Sequence, residues 1–284
     1  MRNRKTKFLA VAALLLLAGC ATAPPPPKVA FSKYGAPYAE KPDFARVELD
    51  HPLTPADRAA ITPDSLRSLD QEQVDQIYAR LTAGPIPDGP YQGDLFFSGG
   101  GGLDRISDLL GGAAGFANDL ALKQLRFVGR ALWKGKVFYR DKRELRNMID
   151  DRSVVAKLFD VDVKDMRTGQ WNGKTVGLLF PAKLYCGQSL LDSRRESVII
   201  DYAFGDEIDG YLTNVDSVAG RNGLQVRDEI RLVRPGFYLG RAYMGRVFVL
   251  NFTLYNEAAA KAGKAAEDCW TGEAQHYNQV ADAH

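Results

Sequence analysis

The sequence predicts an α+β protein, in which an N-terminal helical region is followed by an antiparallel β-meander and a C-terminal helix. Two observations support this fold class. Apolar residues recur at helical spacing in the first half of the chain, most clearly over residues 70–82. From residue 127 onward, short runs of β-favouring residues follow one another at intervals of about ten residues, which is typical of a sheet that closes as a barrel or coils strongly.

The first twenty residues have the layout of a secretory signal peptide. Basic residues come first, an apolar run follows from residue 8 to residue 18, and small residues then lead to a cysteine. Leu17-Ala18-Gly19-Cys20 resembles the lipobox of bacterial lipoproteins, which implies cleavage before Cys20 and lipidation of that residue. Ala21 follows the cysteine in place of an aspartate, and in that family this implies anchoring in the outer membrane, where we expect the periplasmic face. The alternative is a short membrane anchor with an incidental cysteine.

Charge and composition limit the partners of the chain. The 284 residues include 37 basic and 35 acidic ones. The signal contains four of the basic residues and no acid, so the mature chain has 33 basic residues against 35 acidic ones. This balance gives no electrostatic argument for nucleic acid as a partner. The expected partners are the membrane, through the lipid anchor, a small amphipathic ligand and an envelope protein.

The cysteine count predicts one disulfide. The chain has three cysteines, which are Cys20, Cys186 and Cys269. If Cys20 is lipidated, two remain in an oxidising compartment, and a bond between Cys186 and Cys269 is then expected. Two buried free thiols are the alternative.

The region before the sheet divides into a tether and a helical part. Residues 20–44 contain four consecutive prolines, which favour an extended polyproline II tether. Residues 45–126 form the helical region, in which Thr54-Pro55 and Thr62-Pro63 are each typical of a helix start. The glycine run 99–102 is interpreted as an exposed hinge or an anion-binding loop, and a second helical patch covers 103–125.

Residues 127–270 form the predicted barrel-like domain. Strands are expected in the runs 131–139, 176–180, 183–185, 196–203, 207–215, 224–233 and 237–255, and the last run is long enough for two strands. Residues 168–173 are expected to form a turn. Asn256 is expected to cap a final helix over 257–267, which carries Cys269 back to Cys186, and residues 271–284 form a tail.

Charged residues within the predicted strands suggest a binding site. Successive side chains alternate between the faces of a strand, so one apolar face must form the core. If the sheet closes, the other face lines a cavity for a ligand with an apolar body and an acidic head. The candidate lining residues are Arg231, Arg241, Tyr238, Tyr243 and Tyr255. The alternative is a solvated outer face with cross-strand ion pairs.

Motifs for catalysis are not recognisable. The three histidines, His51, His276 and His284, have no metal-ligand spacing, and no Gly-x-Ser-x-Gly elbow occurs. A carboxylate pair such as Asp201 and Glu229 would suit acid–base chemistry, but nothing in the sequence singles it out. We therefore expect no metal, no cofactor and no catalytic residue, and lean against an enzyme.

The predicted meander, C-terminal helix and disulfide resemble the lipocalin and calycin barrels. The resemblance is architectural, covers residues 127–270 and implies a cavity for small apolar ligands. Gly169-Gln170-Trp171 lies mid-chain, whereas the Gly-x-Trp of that family lies on its first strand, so no functional residue is carried over. The leading function hypothesis is an outer-membrane lipoprotein that binds a small amphipathic or lipid-like ligand. A structural or assembly accessory of the envelope is the alternative, and an unrecognised envelope enzyme is the third hypothesis.

Overall fold

The computed structural model describes residues 28–33, 43–96, 124, 128–263 and 269. The signal and Cys20, most of the tether, the glycine run, nearly all of the 103–125 helical patch and the 271–284 tail lie outside the described residues.

Four short helices precede the sheet. They are α1 (Phe44–Asp50), α2 (Pro55–Ala60), α3 (Pro63–Arg67) and α4 (Gln71–Ala79). Thr54 and Thr62 each accept a hydrogen bond from a backbone N–H of the following turn, and proline occupies the first turn of both helices. Asp70 caps α4 in the same way, with Gln73 completing the capping box. The helix starts predicted from the sequence are therefore confirmed, because the capping residues that determine them are local.

The strands follow in chain order, with short helices between some of them. The strands are β1 (Gly89–Phe96), β2 (Trp133–Tyr139), β3 (Glu144–Ile149), β4 (Thr168–Trp171), β5 (Lys174–Gln188), β6 (Glu196–Asp201), β7 (Val226–Arg234), β8 (Phe237–Met244) and β9 (Val247–Tyr255). The connecting helices are a π-helix (Val128–Leu132), 3₁₀ helices (Arg140–Lys142 and Tyr202–Glu207), α5 (Arg152–Phe159) and α6 (Thr213–Asp216), and α7 (Glu257–Ala262) follows the last strand.

Eight of these strands close into an antiparallel barrel. The sheet order is β3-β2-β1-β9-β8-β7-β6-β5-β4, and an additional pairing of β3 with β5 closes the ring. β4 stays outside the ring and pairs only with the first residues of β5. The predicted fold class, α+β with a closed antiparallel meander and a C-terminal helix, is confirmed. β1 belongs to the barrel although it lies within the range 45–126 that the sequence assigns to the helical region.

Two local predictions are wrong. Residues 168–171 form β4 instead of a turn, because Asn172 and Gly173 take left-handed conformations (φ 48° and 74°) and make the tight hairpin turn themselves. Residues 207–215 form no strand. The carboxylate of Asp216 accepts the N–H of Leu212 at 2.8 Å and so holds this segment in the helical turn of α6.

The C-terminal helix and the disulfide confirm two further predictions. The side chain of Asn256 accepts the N–H of Ala259 and caps α7. Cys186 on β5 is bonded to Cys269, which is buried in the main apolar core. The bond therefore ties the chain beyond α7 to a barrel strand.

The two ends of the barrel differ. At the turn end, short connections such as 140–143 and 235–236 join the strands. The loop end includes longer connections between strands, such as 150–167 and 202–225. On the outer wall, α4 covers β7 and β8, where Ile77 and Leu81 form an apolar cluster with Val233, Phe237 and Leu239.

Candidate functional site

Arg231, the first predicted ligand-binding residue, lies on the outer wall of the barrel beneath α4. Its side chain is 0% exposed. The guanidinium donates to Ser197 Oγ and to four backbone carbonyls, those of Tyr78, Asp192, Arg195 and Glu196. Every nitrogen of the guanidinium therefore has a partner within the protein, and its role is to join α4 and the 192–196 segment to β7.

Arg241 lies on the same outer wall and is also buried. It forms an ion pair with Asp75 of α4, and its Nε donates to Tyr243 Oη at 2.9 Å. The guanidinium also lies over the ring of Phe248, 4.1 Å from its centroid. Tyr243 is thus engaged in the contact between the helix and the barrel.

The two remaining tyrosines lie on opposite faces. Tyr255 is on the outer wall, where its ring meets that of Phe237 edge to face. Tyr238 points into the barrel, and its hydroxyl donates to the carbonyl of Pro85 at 2.7 Å. The expected placement of all five residues in one cavity is therefore corrected: only Tyr238 is inside, because α4 covers the polar face of the strands. A binding role for the five residues stays a prediction.

The barrel interior contains an ion pair that spans it. Lys136 is on β2 and Asp228 is on β7, and these strands lie on opposite sides of the ring. Lys136 Nζ is 2.9 Å from Asp228 Oδ2, and the two residues are 3% and 4% exposed. Two full charges are thus paired in a setting where an unpaired charge would be very costly.

Asn147 and Tyr202 complete the network around this ion pair. Lys136 Nζ also donates to Asn147 Oδ1 at 2.9 Å and to Tyr202 Oη at 2.6 Å. Tyr202 Oη donates to Asp228 Oδ2, and Asn147 Nδ2 donates to Tyr202 Oη. We call Lys136, Asn147, Tyr202 and Asp228 the polar floor.

Burial sets the proton affinities of the polar floor. It lowers the pKa of Lys136, although the negative charge of Asp228 and the hydrogen bond to it oppose this effect. Burial also raises the pKa of Tyr202 well above its ordinary value, and the charge of Asp228 adds to that increase. Three aromatic rings surround the ammonium of Lys136 at 5.3–5.6 Å, those of Trp133, Tyr202 and Phe252.

An apolar wall rises from the polar floor toward the loop end. Its residues point inward and are only partly buried against the main core. They are Leu95, Trp133, Val226, Ala242 and Leu250. We call this wall together with the polar floor the lumen cup. At the turn end, the rings of Tyr91, Phe138 and Tyr238 pack edge to face and fill the interior.

The sequence contains a signal for the polar floor that is separate from the pattern that predicted the five ligand-binding residues. Lys136 and Phe138 lie two residues apart on one strand, so the lysine shares the core face of the phenylalanine. Asp228 likewise alternates with Val226 and Ile230. A charge on the apolar face of each of two strands indicates a buried pair, although only the closed ring brings them together.

A second recess lies on the outer surface near β3 and β4, with a volume of about 780 Å³. Its charges balance, because three basic and three acidic side chains line it, and so it favours no sign of ligand charge. The lining residues are Tyr139, Lys142, Glu144, Arg146, Arg167, Thr168, Leu178, Glu207, Ile208 and Asp209. The recess is separate from the lumen cup and provides positions for control variants.

Within the described part of the chain, no three or more His, Cys, Asp or Glu side chains are grouped so that they could hold a metal ion. None of the described helices is both long and apolar enough to cross a membrane.

Comparisons with known proteins identify no family. No protein-family model matches the chain, and no curated protein does. Among solved structures, the crystal structure of a protein from Thermomonospora curvata is similar to 68% of this chain and 90% of that one, at 16% identity and a TM-score of 0.33. A likeness at this TM-score carries no argument about fold or function.

Proposed function

We propose that the chain is a lipid-anchored protein of the bacterial outer membrane that binds a small amphipathic molecule in the lumen cup. An eight-stranded barrel is wide enough either to be filled by side chains or to hold one small ligand. Here aromatic rings pack together at the turn end, and partly buried apolar side chains lie above a polar group toward the loop end. The ligand's apolar part would lie against the wall and its polar part on the floor.

The observation that carries this proposal is the buried ion pair at the base of an apolar wall. A buried ion pair contributes little net stability, and well-packed apolar residues in its place are often neutral or stabilising. The pair of Lys136 and Asp228 is therefore a poor choice for a barrel that needs only to be stable. A role in recognising the polar part of a ligand accounts for it.

The anchoring part of the proposal rests on the sequence. The signal peptide layout and the lipobox that ends at Cys20 support lipidation and outer-membrane sorting. Lipidation also explains why Cys186 and Cys269 remain as a pair and form the disulfide.

Filling the lumen cup should abolish ligand binding. In Ala242→Phe, the larger side chain would point inward between the wall and Asp228, since Ala242 is the strand partner of Asp228. We expect the affinity for a fluorescent fatty-alcohol probe to fall at least about tenfold, because the ring occupies the space of the ligand. Fluorescence titration measures the affinity, and circular dichroism verifies that the variant is folded.

The matched control is Ala45→Phe, which makes the same change at an exposed position of α1, outside the lumen cup. It should bind the probe as the wild-type chain does. Equal binding by both variants would contradict a site in the lumen.

The lipid anchor predicts a change of location on replacement of Cys20. The Cys20→Ser chain should incorporate no labelled fatty acid and should leave the membrane fraction, because no sulfur remains to carry the diacylglycerol. Metabolic labelling and cell fractionation measure both effects. Retention of the label in Cys20→Ser, with Cys186→Ser as the control, would refute lipidation at this position.

A further inference from the structure

We infer that the lumen cup recognises a neutral hydroxyl head group, which donates a hydrogen bond to Oδ1 of Asp228. The inference rests on the proposed function and specifies the ligand class. It differs from the acidic head group that the sequence suggests. The hydrogen-bonding capacity that the polar floor leaves unused determines this choice of head group.

The donors of the polar floor are all engaged. An ammonium group has three protons, and Lys136 Nζ donates to Asn147, Tyr202 and Asp228. Asn147 Nδ2 donates to Tyr202 Oη and to the carbonyl of Phe180. The hydroxyl proton of Tyr202 goes to Asp228. An acidic head group would therefore find no free donor here.

Most of the acceptors are engaged as well. Asn147 Oδ1 accepts from Lys136 and from Trp133 Nε1, the latter at 2.9 Å. Tyr202 Oη accepts from Lys136 and Asn147. Asp228 Oδ2 accepts from Lys136 and Tyr202.

The one acceptor left is Asp228 Oδ1. No residue in the described part of the chain donates to it, since both hydrogen bonds of this carboxylate end at Oδ2. Asp228 is nevertheless 4% exposed as a residue, so bulk water reaches little of it. Oδ1 is not one of the fully buried side-chain atoms that lack a partner in the described part of the chain, so a ligand hydroxyl can reach it as a donor.

The charge of the site decides which donor fits. A carboxylate head group would approach Asp228, which is itself negative, and would be repelled. An ammonium head group would bring a second cation next to Lys136, whose Nζ lies 2.9 Å from the other oxygen of the same carboxylate. A neutral hydroxyl donates to Oδ1 without adding a charge. The ligand class is therefore an alcohol with an apolar body, such as a long-chain or alicyclic alcohol.

The test compares four probes that share one twelve-carbon chain: dodecan-1-ol, dodecanoate, dodecylammonium and 1-fluorododecane. Each is titrated into the Cys20→Ser chain, which is otherwise complete, with tryptophan fluorescence as the readout. Dodecan-1-ol should bind at least about tenfold more tightly than each of the other three, because a hydrogen bond to a charged acceptor is worth about this factor. Tightest binding of dodecanoate or dodecylammonium would overturn the inference and leave the proposed lumen site intact. Binding of none of the four would overturn both.

A double variant tests the role of the carboxylate without leaving a charge buried. Lys136→Met combined with Asp228→Leu replaces the ion pair by apolar side chains, which a barrel interior accepts. The preference for dodecan-1-ol over 1-fluorododecane should fall below about threefold, while 1-fluorododecane itself should still bind. Arg167→Ala, in the outer recess, should keep the full preference. An unchanged preference in the double variant would overturn the assignment to Asp228.

Discussion

Lys136→Met should lower the free energy of unfolding by about 3–5 kcal/mol, because it leaves the carboxylate of Asp228 buried without its cation. Asp228 is 4% exposed and its ion pair with Lys136 spans the barrel, so solvent cannot replace the lost partner. Asn147 and Tyr202 would also lose a hydrogen bond each. Asp228→Leu alone should cost a similar amount, since it leaves the ammonium unpaired.

The double variant Lys136→Met/Asp228→Leu distinguishes the cost of leaving one charge unpaired from the cost of disturbed packing in the lumen. It removes both charges, and its free energy of unfolding should lie within about 1–2 kcal/mol of the wild-type value. Urea denaturation of the four chains measures the coupling. Single variants that each cost less than about 1 kcal/mol would mean that the pair is solvated, and the lumen would then lack the polar floor.

Cys269→Ser should cost about 4–5 kcal/mol, which is the second large effect. The disulfide joins residues 83 positions apart, and in the chain-entropy model a loop of this length restricts the unfolded state by that amount. Loss of the bond also frees the chain beyond α7 from β5. Urea denaturation of the oxidised wild-type chain and of the variant measures the difference.

The control is the wild-type chain unfolded under reducing conditions. It should match Cys269→Ser, because both lack the same cross-link. A reduced wild-type chain and a variant that are both as stable as the oxidised wild-type chain would contradict a stabilising cross-link.

The parts of the fold that local chemistry determines could be predicted. Thr54, Thr62, Asp70 and Asn256 cap the helices that follow them because each accepts hydrogen bonds from its own first turn. The meander and its two final strands were predictable from runs of β-favouring residues. The pairing of Cys186 with Cys269 followed from the count of three cysteines, on the expectation that Cys20 is lipidated.

The site could be predicted only in part, because tertiary packing decides what covers a strand. Alternation along β7 separates Asp228 and Ile230 from Arg231. It does not reveal that α4 covers the charged face, which is why Arg231 and Arg241 are buried outside the lumen. The carboxylate of Asp216 also accepts the N–H of Phe180, which lies 36 residues away, so the burial of Asp216 could not be predicted from the residues around it.

A crystal of the chain soaked with 12-bromododecan-1-ol tests the lumen site and its head-group contact together, because anomalous scattering locates the bromine independently of any fitted chain. We expect one bromine site at the loop end near Trp133 and Leu250, with the hydroxyl oxygen within hydrogen-bonding distance of Asp228 Oδ1. Bromine only on the outer wall or in the outer recess, with the lumen unchanged, would contradict this expectation.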